Sequence, residues 1–225
     1  MKSKIIQANI DSLKKYESND FSILEKKYVY FPLHYEPERT TNPDGWNYYD
    51  QIKALLALRK MLPIDIPIYV KEHYSQFTQL GQWYRWKGRF FYVAISKIEN
   101  LHIINMSTPS VKLIKNALFT VSITWTTILE SICFEVPTVI MWNAWFENFT
   151  WVTRFTPKLS VDEVISNKGS RETCGEDIKK LVINHWIFGT IGSLDETFYP
   201  RYYNEENIKN RELADWYNFI VSIIK

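Results

Sequence analysis

Five short runs of nearly continuous apolar residues stand out along the chain: YVYFPL (28–33), IPIYVKEH (66–73), LHIIN (101–105), LFTVSI (118–123) and PTVIMW (137–142). They do not alternate apolar with polar, which is the pattern of strands covered on both faces and hence of a parallel sheet. The segments between them have helical spacing. In WNYYDQIKALLALRKMLP (46–63), Tyr49, Ile52, Leu55, Leu56 and Arg59 share one face until Pro63 ends the pattern. Further crossover helices are predicted in GRFFYVAISKIEN (88–100), STPSVKLIKNA (107–117) and TTILESICFE (126–135), with Ser107 or Thr108 capping the second of these and Pro109 in its first turn. Repeated strand–helix alternation predicts the α/β class, a Rossmann-like doubly wound parallel sheet of five or six strands.

The pattern divides the chain into three parts. Residues 1–27 form an N-terminal amphipathic helix, without the apolar core or small-residue cleavage site of a signal peptide. Residues 28–160 carry the α/β domain. In 161–225 the pattern loosens, with helical pieces around 178–186 and an aromatic end, ELADWYNFIVSIIK, read as a helical segment packing on the same domain. The apolar stretch Leu118–Trp142 has the length of a membrane span, but Glu130, Glu135 and Pro137 interrupt it, so it is read as strand, helix, strand.

Composition narrows the classes of partner. Lys plus Arg number 27 against 25 Asp plus Glu, so a net charge of +2 provides no general field for nucleic acid, and any bound anion must be held locally. The run QWYRWKGRFFY interleaves Arg85, Lys87 and Arg89 with aromatics but matches no nucleic-acid motif. Aromatics make up 16% of residues, suited either to stacking on sugars or bases or to half-buried packing. Cys133 and Cys174 are far apart in sequence, without CxxC or a histidine cluster, so neither a disulfide framework nor a metal site is indicated and a reducing cytosol is expected.

Ligands of wound sheets bind beyond the carboxyl ends of the strands, and those ends are polar here. Lys71 and His73 can hold a phosphate, with Glu72 between them, or can belong to a solvated loop. Thr126 or Thr127 can cap the next helix, whose exposed N–H groups attract anions, or can serve as a cap alone. Glu130 can accept bonds from a ribose diol or complete a capping box with Thr127.

Taken together, FPLHYEPERTTNPDGWNYYDQ (31–51), LPIDIPIYVKEHY (62–74), YRWKGRFFYVAI (84–95) and PSVKLIKNALFTVSITWTTILESICFEVPTVIM (109–141) resemble the capsule polysaccharide biosynthesis family, glycosyltransferase-B-like proteins related to Kdo transferases. The resemblance implies that 28–160 is a nucleotide-sugar-binding domain, the C-terminal, donor-binding half of such an enzyme. The implied ligand is a nucleotide-activated sugar, with CMP the first carrier to consider, and no separate cofactor. The implied donor-site residues are Glu38, Thr40, Lys71, Glu72, His73, Thr124, Thr126, Thr127 and Glu130, the threonines of 120–130 lining the cleft. His73 and Glu38 carry the catalytic expectation, while His34, Glu36 and Glu38 form the titratable cluster from which an acid or base would come. Implied partners are a glycan acceptor and a separate acceptor-domain chain, in the cytoplasm and in reach of the inner membrane face as a peripheral protein.

The chain departs from the family pattern in three respects. Trp125 and Ile128 stand where a TGT-x-G-x-E turn has glycines, and a Cβ there obstructs close approach of a phosphate to the backbone. Tyr74 replaces the proline that usually follows the histidine. No N-terminal Rossmann domain precedes residue 28. A non-catalytic module that contacts glycan or a partner transferase is therefore the alternative reading, and a nucleotide-sugar epimerase ranks below both.

Overall fold

The computed structural model describes residues 2–18, 27–36, 46–77, 87–124, 127–144, 147–169, 173, 176 and 177. The chain divides into two compact units, Met1–Lys168 and Gly169–Lys225. In the second, Thr173, Glu176 and Asp177 are helical, and the helices expected around 178–186 and at the C-terminus lie outside the described residues. The first unit runs α1 (Lys2–Tyr16), β1 (Glu17–Ser18), β2 (Val29–Pro32), α2 (Gln51–Met61), β3 (Ile68–Lys71), α3 (Arg89–Ile95), β4 (Leu101–Ile104), α4 (Ser110–Lys115), β5 (Phe119–Ser122), α5 (Thr127–Cys133), β6 (Thr138–Ile140), β7 (Val152–Arg154) and α6 (Val161–Ser166).

The strands form one seven-stranded sheet in the order β1-β4-β3-β2-β5-β6-β7, every neighbouring pair parallel. Counted from β2, the chain winds outward through β3 and β4, returns, and winds the other way through β5, β6 and β7. This is the Rossmann order 3-2-1-4-5-6 with β1 added beyond its third strand. The fold is Rossmann-like α/β. The winding reverses between β2 and β5, where Val29 pairs with Phe119 and Tyr30 with Thr120.

Two of the seven strands were not legible in the apolar pattern. β1 is only two residues long and is tied down by a side chain: the Glu17 carboxylate accepts from Met106 N–H (3.1 Å) and Asn105 Nδ2 (3.2 Å) just past β4. β7 ends in exposed Arg154 and has only one fully buried position. The other five strands lie within the predicted runs, and Leu118–Trp142 resolves into β5, α5 and β6. Among the described residues no helix is long and apolar enough to cross a membrane.

Because side chains alternate across a strand, the two faces of the sheet are chemically distinct. Val29, Phe31, Ile68, Val70, Leu101, Ile103, Phe119, Val121 and Val139 belong to an aliphatic core with α1, α2, α3 and α6. Tyr28, Tyr30, Tyr69 and Ile104 belong to a second core with Leu113 and Ile114 of α4. Between α5 and the sheet the contact is made by hydroxyls. Thr120 Oγ1 lies 2.8 Å from Ser131 Oγ and 2.9 Å from Thr138 Oγ1, and Ser131 Oγ donates to the Thr127 carbonyl (3.0 Å). Thr120 is thus buried under α5 rather than lining a cleft, a correction that follows from its even-numbered place in β5. The short side chains let the helix sit close to the strands while satisfying one another's polar atoms.

Two helix starts also differ from expectation. α4 begins at Ser110 with Pro109 at the N-cap and no side-chain cap bond, because the Ser107 hydroxyl donates to Asn105 Oδ1 (2.7 Å). α5 begins at Thr127 itself, so the spacing from Thr127 to Glu130 is not that of N-cap to N3 and the capping box is not formed. α5 closes with Val136 N–H on the Ser131 carbonyl and Glu135 N–H on the Ile132 carbonyl, Glu135 taking the left-handed conformation (φ 58°).

Replacing Thr120 by valine keeps the shape but strands the buried Thr138 hydroxyl and takes from Ser131 one of its two bonds. It is expected to lower unfolding free energy by about 1–3 kcal/mol in urea denaturation, and an unchanged midpoint would show that the hydroxyl contact does not fix α5.

Candidate functional site

The reversal point is bridged by a histidine. His34, two residues beyond β2 and fully buried, places Nε2 3.0 Å from Ser122 Oγ at the end of β5 and 3.4 Å from Ile123 N. The buried ring thus braces the two strand ends from inside the protein rather than standing at the rim.

The rest of the β2 exit is held by two buried glutamines. Gln51, the first residue of α2, accepts from His34 N–H (2.9 Å) and donates to the His34 carbonyl (3.0 Å). Gln76 does the same for Glu36, accepting from its N–H (2.8 Å) and donating to its carbonyl (3.2 Å). Each primary amide substitutes for a neighbouring strand, extending β2 by side-chain rungs after its ladder has ended. The second hydrogen of Gln51 Nε2 goes to Glu36 Oε1 at 2.5 Å.

Below this loop lies an ion pair that solvent does not reach. Lys87 Nζ donates to Glu72 Oε1 (3.0 Å) and Oε2 (3.1 Å) and to the His34 carbonyl, and both side chains are 0% exposed. Glu72 also accepts from Tyr92 Oη (2.8 Å) and from His73 N–H (2.7 Å). Burial pushes the Glu72 carboxyl above the usual range, while Lys87, Tyr92 and the His73 N–H all draw it back. With every bonding direction taken up inside the protein, Glu72 braces the framework, and the ligand contact expected of it gives way to that role.

A second polar group gathers on the tyrosine face. Lys71, the last residue of β3, donates to Ser110 Oγ (2.6 Å) and to the Thr108 carbonyl (3.0 Å) at the start of α4. Buried Tyr30 is hydrogen-bonded to the same Ser110. Partial burial lowers the Lys71 ammonium from its ordinary range, with the Glu130 carboxylate raising it again. Desolvation raises Glu130, an effect that water screens because the residue is exposed in the first turn of α5, and Lys71 opposes it. The Thr108 hydroxyl is buried without a partner among the described residues. The structure therefore draws Lys71 and Glu130 together, with Tyr30, Thr108 and Ser110 as neighbours that their separate places in the sequence did not suggest.

The remaining expected residues are dispersed. His73 is half-buried with its ring 5.4 Å from that of Tyr35. Thr124 is half-buried after β5, Thr127 is buried in α5, and Ile128 packs inward at 1% exposure. Glu38, Thr40, Trp125 and Thr126 lie outside the described residues, as do Arg85 and its aromatic neighbours. Lys87 and Gln76 were missed as site-framing residues, since a lysine in an aromatic run and a glutamine in a polar turn look like solvated positions. Among the described residues no cluster of His, Cys, Asp or Glu could hold a metal ion.

The buried pair makes a sharp prediction. Lys87→Met should destabilise by about 3–5 kcal/mol, because it leaves Glu72 uncompensated, whereas adding Glu72→Gln should restore much of that loss. A urea-denaturation cycle measures both, and additive losses would mean that the pair does not act as a unit.

Comparison with protein-family models gives no match, and comparison with curated proteins gives none. Among solved structures the chain is similar to KpsC of Thermosulfurimonas dismutans, a beta Kdo 2,7 transferase, at 16% identity and a TM-score of 0.43, over 72% of this chain and 50% of that one. The chain spans about half the length of the structure it matches.

Proposed function

We propose that the chain is the donor-binding half of a glycosyltransferase-B-like enzyme of surface polysaccharide synthesis. It holds a nucleotide-activated sugar, CMP-linked, at the carboxyl edge of its sheet, and a glycan acceptor meets it there with the help of a separate acceptor domain or chain. The place of work is the cytoplasm, at the inner face of the membrane. No cofactor enters this reading. The observation that carries it is the partly desolvated Lys71 at the end of β3, facing the first turns of α4 and α5 beside Glu130, Ser110 and a Thr108 hydroxyl without a partner among the described residues.

In glycosyl transfer the bond between the anomeric carbon and the phosphate oxygen breaks, and the nucleotide leaves with the electron pair. Lys71 is the fixed positive charge at this edge and stabilises the developing charge on that oxygen. Glu130 is placed to accept hydroxyl bonds from the ribose. His73 can supply a further donor from the β3 exit. The acceptor hydroxyl loses its proton to a base that Lys71 and Glu130 do not provide.

A second reading, a binding module without catalysis, is favoured by Ile128. Its side chain fills the interior where a glycine would let the backbone meet a phosphate. Calorimetric titration with CMP distinguishes the two. The first reading expects saturable binding, weakened by roughly tenfold or more in Lys71→Ala, in keeping with loss of a charged hydrogen bond. Absence of heat at millimolar CMP, with the fold intact, favours the binding module.

The direction of the Lys71 shift adds a pH test. An anion raises the pKa of bound Lys71 above that of the free protein, so binding takes up protons. CMP affinity should therefore fall as pH rises through the lowered range of free Lys71, earlier than for a lysine with an ordinary value of about 10.4. Affinity that stays flat over the alkaline range would remove Lys71 from the site.

A further inference from the structure

The β2 exit is the segment that takes phosphate in dinucleotide-binding Rossmann domains, through glycines and free main-chain N–H groups. The described start of this exit, residues 33–36, is unsuited to that task. The N–H groups of His34 and Glu36 are already bonded to the carbonyl oxygens of Gln51 and Gln76. Among the described residues here Lys87 is matched by Glu72, and the Glu36 carboxylate is left without a cation.

Glu36 itself is held with unusual care for a half-exposed residue. Its main chain is bonded on both sides to Gln76, which is 0% exposed, and Oε1 is held by Gln51, which is 1% exposed. Its other carboxylate oxygen, Oε2, has no partner among the described residues. A carboxylate is an acceptor of hydrogen bonds only, so a fixed and unused oxygen matches a hydroxyl-bearing group and repels a phosphate.

We propose that Glu36 accepts hydroxyl hydrogen bonds from the sugar portion of the ligand, so that the activated sugar lies against the β2 exit while its phosphate lies at Lys71. The inference rests on the donor-binding reading and adds a polarity to it. Adjacent strands supply the two halves: Pro32 pairs with Lys71, and Leu33 N–H continues the ladder to the Lys71 carbonyl (2.9 Å). A dipolar ligand laid across these two strand ends has only one favourable direction. Glu36 is thereby separated from His34, which is sequestered by Ser122.

Calorimetry with two probes, CMP and CMP-N-acetylneuraminic acid, tests the assignment on the full chain. Glu36→Gln keeps an oxygen for Gln51 to bond and removes the charge. The expected result is a loss of roughly tenfold in affinity for the CMP-sugar, with CMP affinity changed less than about twofold. Glu36→Asp retains the charge but draws it back by one methylene, and should show the same selective loss even if the glutamine variant folds poorly. Equal effects on both probes, or none, would overturn the assignment while leaving the donor site standing. Failure of the wild-type chain to bind either probe would overturn the donor-binding reading and this inference with it.

Discussion

The polar architecture hangs on one ammonium group. Lys87 has three N–H donors, and it meets three acceptors inside the protein: both oxygens of Glu72 and the carbonyl of His34. A lone charge in that position would be disfavoured by several kcal/mol after relaxation, and even a paired one is not a source of stability in itself. What the arrangement secures is geometry. It pins together the exit of β2, the exit of β3 and the approach to α3, segments 53 and 15 residues apart. If Glu72 moved, the His73 N–H and the Tyr92 hydroxyl would lose their acceptor as well.

The same logic, polar groups bound to polar groups at fixed distances, is used differently on each side of the sheet. On the aliphatic face, α2 and α3 pack through Leu55, Leu58, Tyr92 and Ile95, and the Tyr92 hydroxyl reaches the buried Glu72 at the strand exits. On the other face, tyrosines and hydroxyls extend into the interior. Stacked Tyr28 and Tyr69 (centroids 4.3 Å apart) and the Thr120–Ser131–Thr138 cluster occupy places that aliphatic residues hold opposite. The Tyr28 hydroxyl reaches the Leu113 carbonyl in α4 (2.8 Å), which ties the helix to the sheet. Of the described hydroxyl residues in TVSITWTTILE, Thr120 and Ser122 turn to the hydroxyl side by strand parity, whereas Thr124 and Thr127 lie beyond the strand.

Periodicity was enough to identify the sheet, because five strands were apolar on both faces and their helices were amphipathic or capped by breakers. It did not reveal β1, whose two residues are placed by a glutamate side chain, nor β7, which carries an arginine to solvent. The candidate site was legible by position and not by role. Strand ends marked Lys71, Glu72, His73 and Glu130, but only coordinates separate a carboxylate spent on an internal lysine from one beside the rim. Glu36 and His34 differ for the same reason: two residues apart in sequence, one leaves an oxygen without a partner among the described residues and the other is buried against Ser122 and Ile123. Gln51 and Gln76 bond to main-chain groups, and such bonds leave no trace in a side-chain pattern.

Stability alone does not account for Lys71 and Glu130. Partial desolvation moves both groups toward neutrality, lowering the lysine and raising the glutamate, so the fold works against their charges. Lys87 differs, since its acceptors are complete. Lys71 is instead bonded to a serine and a carbonyl, next to a threonine hydroxyl with nothing to bond among the described residues, with the Glu130 carboxylate as its opposing charge. Perturbed groups of this kind gather at binding and catalytic sites more than elsewhere. The two lysines thus differ physically: Lys87 is saturated by acceptors inside the protein, whereas Lys71 keeps a partly desolvated charge at the carboxyl edge of the sheet.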